Sequence, residues 1–241
     1  MNVTNPVLVE RVDEAVAVLR LNRPDKRNAL DSSTLAELNA TLAELAADER
    51  LRVLVISTTN PRALCAGADV AEVLDHDGGL ARMAAFTGMY AAIEQFPVPT
   101  IAVCVGNCVG AGAEIVAGVD LRVGGDNLKL AWAGARLGVP VGPARLAPLI
   151  GLARAKDLVL TGRTIGAREA DEFGLLQRIA PAAEAEAAAL ELAADVAQQN
   201  AGGVRELKAM FRDLDGSGQR VEYENEHLMR FQQDGHGLPR G

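Results

Sequence analysis

Two short segments of this chain concentrate the residues able to do chemistry. One is Cys65-Ala-Gly-Ala-Asp69; the other is Gly106-Asn-Cys-Val-Gly-Ala-Gly-Ala-Glu114. Each sets small residues where a strand or loop meets a helix, and small residues let a ligand approach the backbone closely. The free N–H groups of a helix's first turn attract negative charge, helped by the helix dipole. The chemistry such loops offer is therefore the holding of a negative oxygen on backbone amides. Either loop alone is better explained by tight packing. Glu114 adds a titratable group inside the otherwise apolar run Ala113-Glu-Ile-Val-Ala117. A buried carboxylate is costly without a partner, so it either handles protons or water, or is hydrogen-bonded in place to hold the loop.

Other chemistries fit less well. A GxGxxG dinucleotide fingerprint would need glycine or alanine at Ile115, and the acidic residue expected about 20 positions on is absent from the apolar window at 132–135. There is no GxxxxGK[ST] phosphate loop. Cys65, Cys104 and Cys108 form no CxxC pair, and with His76, His227 and His236 they give no metal-ligand spacing. The cysteines read as buried small apolar groups in a reducing compartment. A formal net charge of −8 argues against nucleic acid as a partner. The opening residues lack the charged and apolar regions of a signal peptide. Residues 96–119 are apolar apart from Asn107 and Glu114, but they contain Pro97, Pro99 and four glycines. That pattern reads as a buried strand, turn and helix, not a membrane span. The expectation is a cytoplasmic protein without membrane contact.

The elements that must position these loops follow from the hydrophobic pattern. The chain has 241 residues, 49% apolar and 23% charged, enough for one large domain with a helical appendage. Residues 7–12 and 15–21 read as a hairpin. A loop at 22–28 leads to a helix capped by Asp31 or Ser32, with Leu35, Leu38, Leu42 and Leu45 as its apolar stripe. Buried strands are expected at 53–57, 100–105 and 121–123. A loop spans 60–69, a helical segment broken at Gly78-Gly79 runs to about residue 95, and a helix covers 110–118. Alternation of strands and helices to about residue 180 predicts an α/β or spiral ββα architecture. Residues 182–200 and 204–231 read as helical. No internal repeat or flexible linker is visible, and the boundary near Pro181 is a change of composition.

Four motifs in this order resemble the crotonase (enoyl-CoA hydratase/isomerase) family. They are Arg23-Pro-Asp-Lys-Arg-Asn-Ala-Leu30, Cys65-Ala-Gly-Ala-Asp69, the segment from Gly106 to Glu114, and Leu160-Thr-Gly-Arg-Thr-Ile-Gly-Ala-Arg-Glu-Ala170 with Gly174-Leu175. The resemblance implies an α/β fold, a crotonase-like ββα spiral with a C-terminal helical region. Residues 1–181 would form the acyl-CoA-binding core and residues 182–241 a helical, apparently shortened, oligomerisation region. It also implies a homotrimer or dimer of trimers, an acyl-CoA thioester as partner, a place in fatty acid metabolism, and no separate cofactor, since coenzyme A is part of the substrate.

The family's shared chemistry is stabilisation of a thioester enolate by two backbone N–H groups. The matching donors here are those of Ala68 and Ala111, and one such donor is typically worth ~3 kcal/mol of barrier. Ala66, Gly67, Asp69, Val70 and Gly110 fall on the substrate-binding loops. Lys26 and Arg27 fall where phosphates are met, although either could be a solvated basic turn. Asp69 is read first as the cap of the next helix. Glu114 matches one of two catalytic glutamates. The other falls, without gaps, on Gly134, and no Asp or Glu lies between Asp126 and Asp157. Hydration uses both carboxylates on one water, so the sequence favours double-bond isomerisation with one acid/base over hydration. Pro140-Val-Gly-Pro143 looks shorter than the family's loop, and the tail lacks the helix expected to cover the acyl site. Asp75 and His76 are read as surface-loop residues above the acyl pocket. A non-catalytic acyl-CoA carrier or regulator is the alternative function.

Overall fold

The structure, a computed structural model, describes residues 5–235, 237 and 238. In chain order the elements are β1 (Val7–Arg11), β2 (Val16–Leu21), a 3-10 turn (Pro24–Lys26), α1 (Ser32–Ala47), β3 (Val53–Thr58) and β4 (Ala63–Cys65). There follow α2 (His76–Glu94), β5 (Thr100–Cys104), β6 (Asn107–Val109), α3 (Ala111–Gly118), β7 (Leu121–Gly125) and β8 (Lys129–Ala131). The chain continues with α4 (Gly134–Leu137), α5 (Pro143–Ile150), α6 (Leu152–Thr161), α7 (Ala167–Glu172), β9 (Arg178–Ala180), α8 (Ala185–Ala197), α9 (Ala201–Asp215) and α10 (Ser217–Asp234).

The expected hairpin forms, with Val9 opposite Leu19 in antiparallel register. Asp13 Oδ1 closes its turn by accepting N–H groups of Ala15 and Val16 at 2.7 and 2.8 Å. From β2 onward all pairing is parallel, giving a six-stranded sheet in the order β1-β2-β3-β5-β7-β9. A second parallel sheet, β4-β6-β8, stands apart from it. Successive residues of a strand face opposite sides, and here both sides are covered. Val16, Val18, Val53, Val55, Ile101 and Val103 pack on one side against Ala185, Ala189 and Ala193 of α8. Ala17, Leu19, Leu54, Ile56, Ala102 and Cys104 enter the larger core with α1, α2 and α3. This two-sided burial explains why the strands read as continuous apolar runs. Alanine at every fourth position of α8 presents a smooth face that sits close to the valines.

Helix α2 departs from expectation. It runs through Gly78-Gly79 without a break, although each helical glycine costs roughly 1 kcal/mol relative to alanine. Asp75 caps it by accepting Gly78 N–H at 2.8 Å, and a side chain at Gly79 would stand 2.6 Å from Gln232 Nε2 of α10. The glycine pair is the seat on which the last helix packs. That helix, α10, falls mostly within the stretch 204–231 expected to be helical; it lies along α2, and its Leu228 is buried in the larger core.

Candidate active site

The two glycine-rich loops are pressed together by short parallel pairing of β4 with β6, Cys65 opposite Cys108. Two glycines make this approach possible. Gly67 has φ +104°, and a Cβ there would lie 3.1 Å from the Val109 carbonyl oxygen. A Cβ on Gly112 would lie 2.1 Å from the Cys65 carbonyl oxygen. Gly110, at φ 54°, opens α3 so that its first N–H groups are unpaired in the helix. Three neighbouring amides are used: Leu30 N–H donates to Gly67 O at 2.8 Å, Asp69 N–H to Leu30 O at 2.8 Å, and Gly110 N–H to Ala131 O at 3.0 Å. Among the described residues, the N–H groups of Ala68 and Ala111 donate to no backbone acceptor.

Both of these alanines line an apolar cavity of about 210 Å³. Its rim carries Ala66, Gly67, Ala68, Val70, Gly110 and Ala111, so six of the residues singled out in the sequence meet at one place. The body is formed by Met83, Phe86 and Tyr90 of α2, with Val139 and Val141 opposite, and is closed by Leu228 and Leu238. Lys26, Arg27, Asp69 and Glu114 are not among its lining residues. Lys26 and Arg27 are exposed on the neighbouring turn, which is tied to the rim by Ala66 N–H donating to Arg27 O at 3.0 Å. Asn28 anchors the same turn from beneath, its Nδ2 donating to Thr58 Oγ1, Ala63 O and Leu64 O.

Asp69 does not cap a helix. Its Oδ1 accepts Ala71 N–H at 3.2 Å and its Oδ2 lies 3.2 Å from Arg23 Nη2; the next helix begins at His76 with Asp75 as its cap. Asp75 and His76 border a separate recess with Glu72 and Arg82. Gly134 lines the cavity, but a side chain there would meet Val139 O at 2.6 Å and Val141 O at 3.2 Å. Val139 and, within Pro140-Val-Gly-Pro143, Val141 occupy the space a side chain on Gly134 would need.

Glu114 is wholly buried and does not stand alone. Arg145 Nη1 lies 3.1 Å from its Oε2 and 2.6 Å from Glu224 Oε1. The Glu224 carboxylate also accepts N–H from Gly142 at 3.0 Å and Ala144 at 2.8 Å, capping α5. The Arg145 guanidinium rests on the Tyr90 ring, 4.6 Å from its centroid. Glu114 Oε1 has no hydrogen-bond partner, and the Trp132 indole N–H faces the same carboxylate without meeting hydrogen-bond geometry. Burial, and secondly the charge of Glu224, push the Glu114 carboxyl up to about 8, with Arg145 opposing.

Arg145 and Glu224 were missed in the sequence, yet both leave a signal. Arg145 is the lone charge in the run Ala144-Arg-Leu-Ala-Pro-Leu-Ile150, the same anomaly that marks Glu114. Glu224 falls on the buried stripe Ser217, Val221, Leu228 and Gln232 of α10, where helical spacing places it inward. Glu222 and Glu226 beside it point elsewhere, so composition hides it.

Fold and site together define a crotonase-type protein: a parallel ββα spiral with two uncommitted backbone amides at the mouth of an apolar cavity. The crystal structure of an enoyl-CoA hydratase from Bacillus anthracis superposes with a TM-score of 0.81 at 28% identity, covering 98% of this chain and 99% of that one. The sequence profile of the enoyl-CoA hydratase/isomerase family matches residues 11–234. A probable enoyl-CoA hydratase of Mycobacterium tuberculosis is 35% identical over 205 residues, 84% of this chain and 79% of the relative. A short-chain-enoyl-CoA hydratase of Clostridium acetobutylicum is 30% identical over 194 residues, 78% of this chain and 74% of the relative. The chain belongs to the enoyl-CoA hydratase/isomerase family. None of its described helices is long and apolar enough to cross a membrane.

Proposed function

We propose that this protein is an enzyme of acyl-CoA metabolism that holds a thioester oxygen on the N–H groups of Ala68 and Ala111. The observation that carries the reading is this pair of unpaired amides at the rim of an apolar cavity. Negative charge developing on the oxygen is stabilised by fixed donors that need no reorganisation, Ala111 with the added field of α3. The acyl chain enters the cavity between α2 and α10. Lys26 and Arg27, on the turn tied to Ala66, meet the phosphates of coenzyme A, and Asp69 holds that turn through Arg23. Glu114 handles the proton at carbon. With Gly134 crowded by Val139 and Val141, the site has one candidate carboxyl in place of the two that hydration uses, which favours double-bond migration within fatty acid metabolism.

A non-catalytic acyl-CoA carrier is the second reading, favoured by one observation: Glu114 is wholly buried and paired with Arg145. Two measurements separate them. Calorimetry with acetoacetyl-CoA and with the free acid tests the amide pair, and equal binding of the two overturns it. Turnover of 3-enoyl-CoA to 2-enoyl-CoA, falling by roughly 10²–10⁴ in Glu114→Gln with binding retained, supports the enzyme; tight thioester binding without turnover selects the carrier.

Assembly as a trimer or dimer of trimers belongs to the same proposal. It is supported by the exposed apolar stripe Leu207, Met210, Phe211 and Leu214 on α9, whose spacing gives one face. Light scattering that finds a stable monomer at micromolar concentration would overturn it. A cytoplasmic location is in keeping with the free thiols of Cys65, Cys104 and Cys108.

A further inference from the structure

Beside the cavity three buried charged groups meet: one guanidinium and two carboxylates. Arg145 Nη1 is 3.1 Å from Glu114 Oε2 and 2.6 Å from Glu224 Oε1, with side chains 0%, 0% and 5% exposed. Fully ionised, the cluster would carry a net negative charge in a buried region. Each carboxylate raises the cost of the other's charge and burial adds to it, while the single Arg145 cation offsets only one of the two charges. One proton on the pair would leave the cluster neutral.

The donors decide which carboxyl holds it. Glu224 receives Arg145 on Oε1, and Gly142 N–H at 3.0 Å and Ala144 N–H at 2.8 Å on Oε2. These amides open α5, whose dipole favours an anion. Among the described residues Glu114 receives one hydrogen bond, from Arg145 on Oε2; its buried Oε1 has none, the Trp132 indole N–H facing the carboxylate outside hydrogen-bond geometry. With one donor against three, ionised Glu114 is the costlier state. We propose that Glu224 is a positioning residue that, as the ionised member of the pair, leaves Glu114 a carboxylic acid with its proton on Oε1.

The groups facing this cluster from other elements do not take the proton's place. Tyr90 on α2 is held neutral, burial pushing its hydroxyl well above 10. Cys65 on β4 is pushed up to about 12 by burial. Glu94, also on α2, is raised by burial, with Ser217 and Arg145 opposing. Glu224 is raised by burial too, but Arg145 and the two amides oppose that rise. Burial and the neighbouring carboxylate bring Glu114 to about 8.

The functional consequence rests on reading Glu114 as the acid/base. Resting protein then offers a proton donor, and abstraction of a proton from substrate must wait until Glu114 gives its own proton up. Because Glu224 reaches the cluster from α10, the seating of the last helix over the cavity and the protonation of Glu114 are one arrangement.

Isotope-edited infrared spectroscopy of the full chain, labelled at glutamate carboxyls, tests this without turnover. The unsubstituted protein should show a protonated carboxyl band at pH 7 that is missing in Glu114→Gln and titrates away near pH 8. In Glu224→Gln, Arg145 is left to Glu114 alone, and the midpoint should fall by about one pH unit or more. An ionised Glu114 at pH 7 in the unsubstituted protein overturns the proposal, whether or not Glu224→Gln folds. A folded Glu224→Gln with an unmoved midpoint overturns it as well, reducing Glu224 to a helix cap. The band without turnover would refute the enzyme and leave this assignment standing; turnover without the band would do the reverse.

Discussion

Gly112→Ala tests the junction of the two amide loops. In place of hydrogen the new methyl would stand 2.1 Å from the Cys65 carbonyl oxygen and 2.9 Å from its carbon. Carbon and oxygen do not pack closer than about 3.0 Å, so Cys65 or the start of α3 must retreat by about 0.9 Å. Neither neighbour is a flexible side chain, and the retreat therefore moves backbone. Cys65 is three residues before Ala68, and Gly112 directly follows Ala111, so the gap between the two N–H groups opens by a comparable amount. A misplacement of ~1 Å at a reacting centre costs on the order of 10²-fold, and loss of one amide donor costs roughly 10²–10³ in rate. Overpacking itself is worth about 1–3 kcal/mol, which for a chain of this size lowers the melting temperature by roughly 2–12 °C. The assay is thioester affinity and turnover beside thermal unfolding, with Gly218→Ala as the control, since a Cβ at Gly218 meets nothing within 4 Å. Thioester binding and melting temperature unchanged in Gly112→Ala, as in the control, would refute the close apposition of the loops and with it the paired-amide site.

Other outcomes follow from the same packing. Arg145→Met removes the cation between Glu114 and Glu224 and should destabilise by roughly 3–5 kcal/mol. Because the folded Glu114 carboxyl lies at about 8, above the usual 4.5, folding favours the protonated form. The variant's deficit should thus be smallest near pH 5 and grow as pH rises through 8, read by thermal unfolding at both ends. Gly134→Glu should not create a hydratase: its Cβ would stand 2.6 Å from Val139 O, so melting temperature and thioester affinity should fall, and any rise in crotonyl-CoA hydration would contradict the crowding. Asn28→Ala leaves the Ala63 and Leu64 carbonyls without their side-chain donor and should cost about 1–3 kcal/mol by chemical denaturation, together with weaker binding at the turn that bears Lys26 and Arg27.

What could be read in the sequence is what local spacing encodes. The β-branched runs of β1 and β2 read as a hairpin and the apolar run of β3 as a buried strand, and Leu35, Leu38, Leu42 and Leu45 set the face of α1. The ordered motifs carried the family resemblance, and that resemblance placed the donors at Ala68 and Ala111. Relations across the chain were invisible. Gly78-Gly79 reads as a break until Gln232 packs on it. Gly134 looks like an empty place for a carboxylate until Val139 and Val141 fill it. Glu114 is a solitary acid until α5 brings Arg145 from 31 residues away, and Arg145 finds Glu224 79 residues further on. A charge's protonation depends on the donors and anions around it, and periodicity says which face a residue takes but not which residue meets it there. The fold decides that by the order of its layers, and so the tertiary structure alone determines whether Glu114 is a base, an acid or a strut.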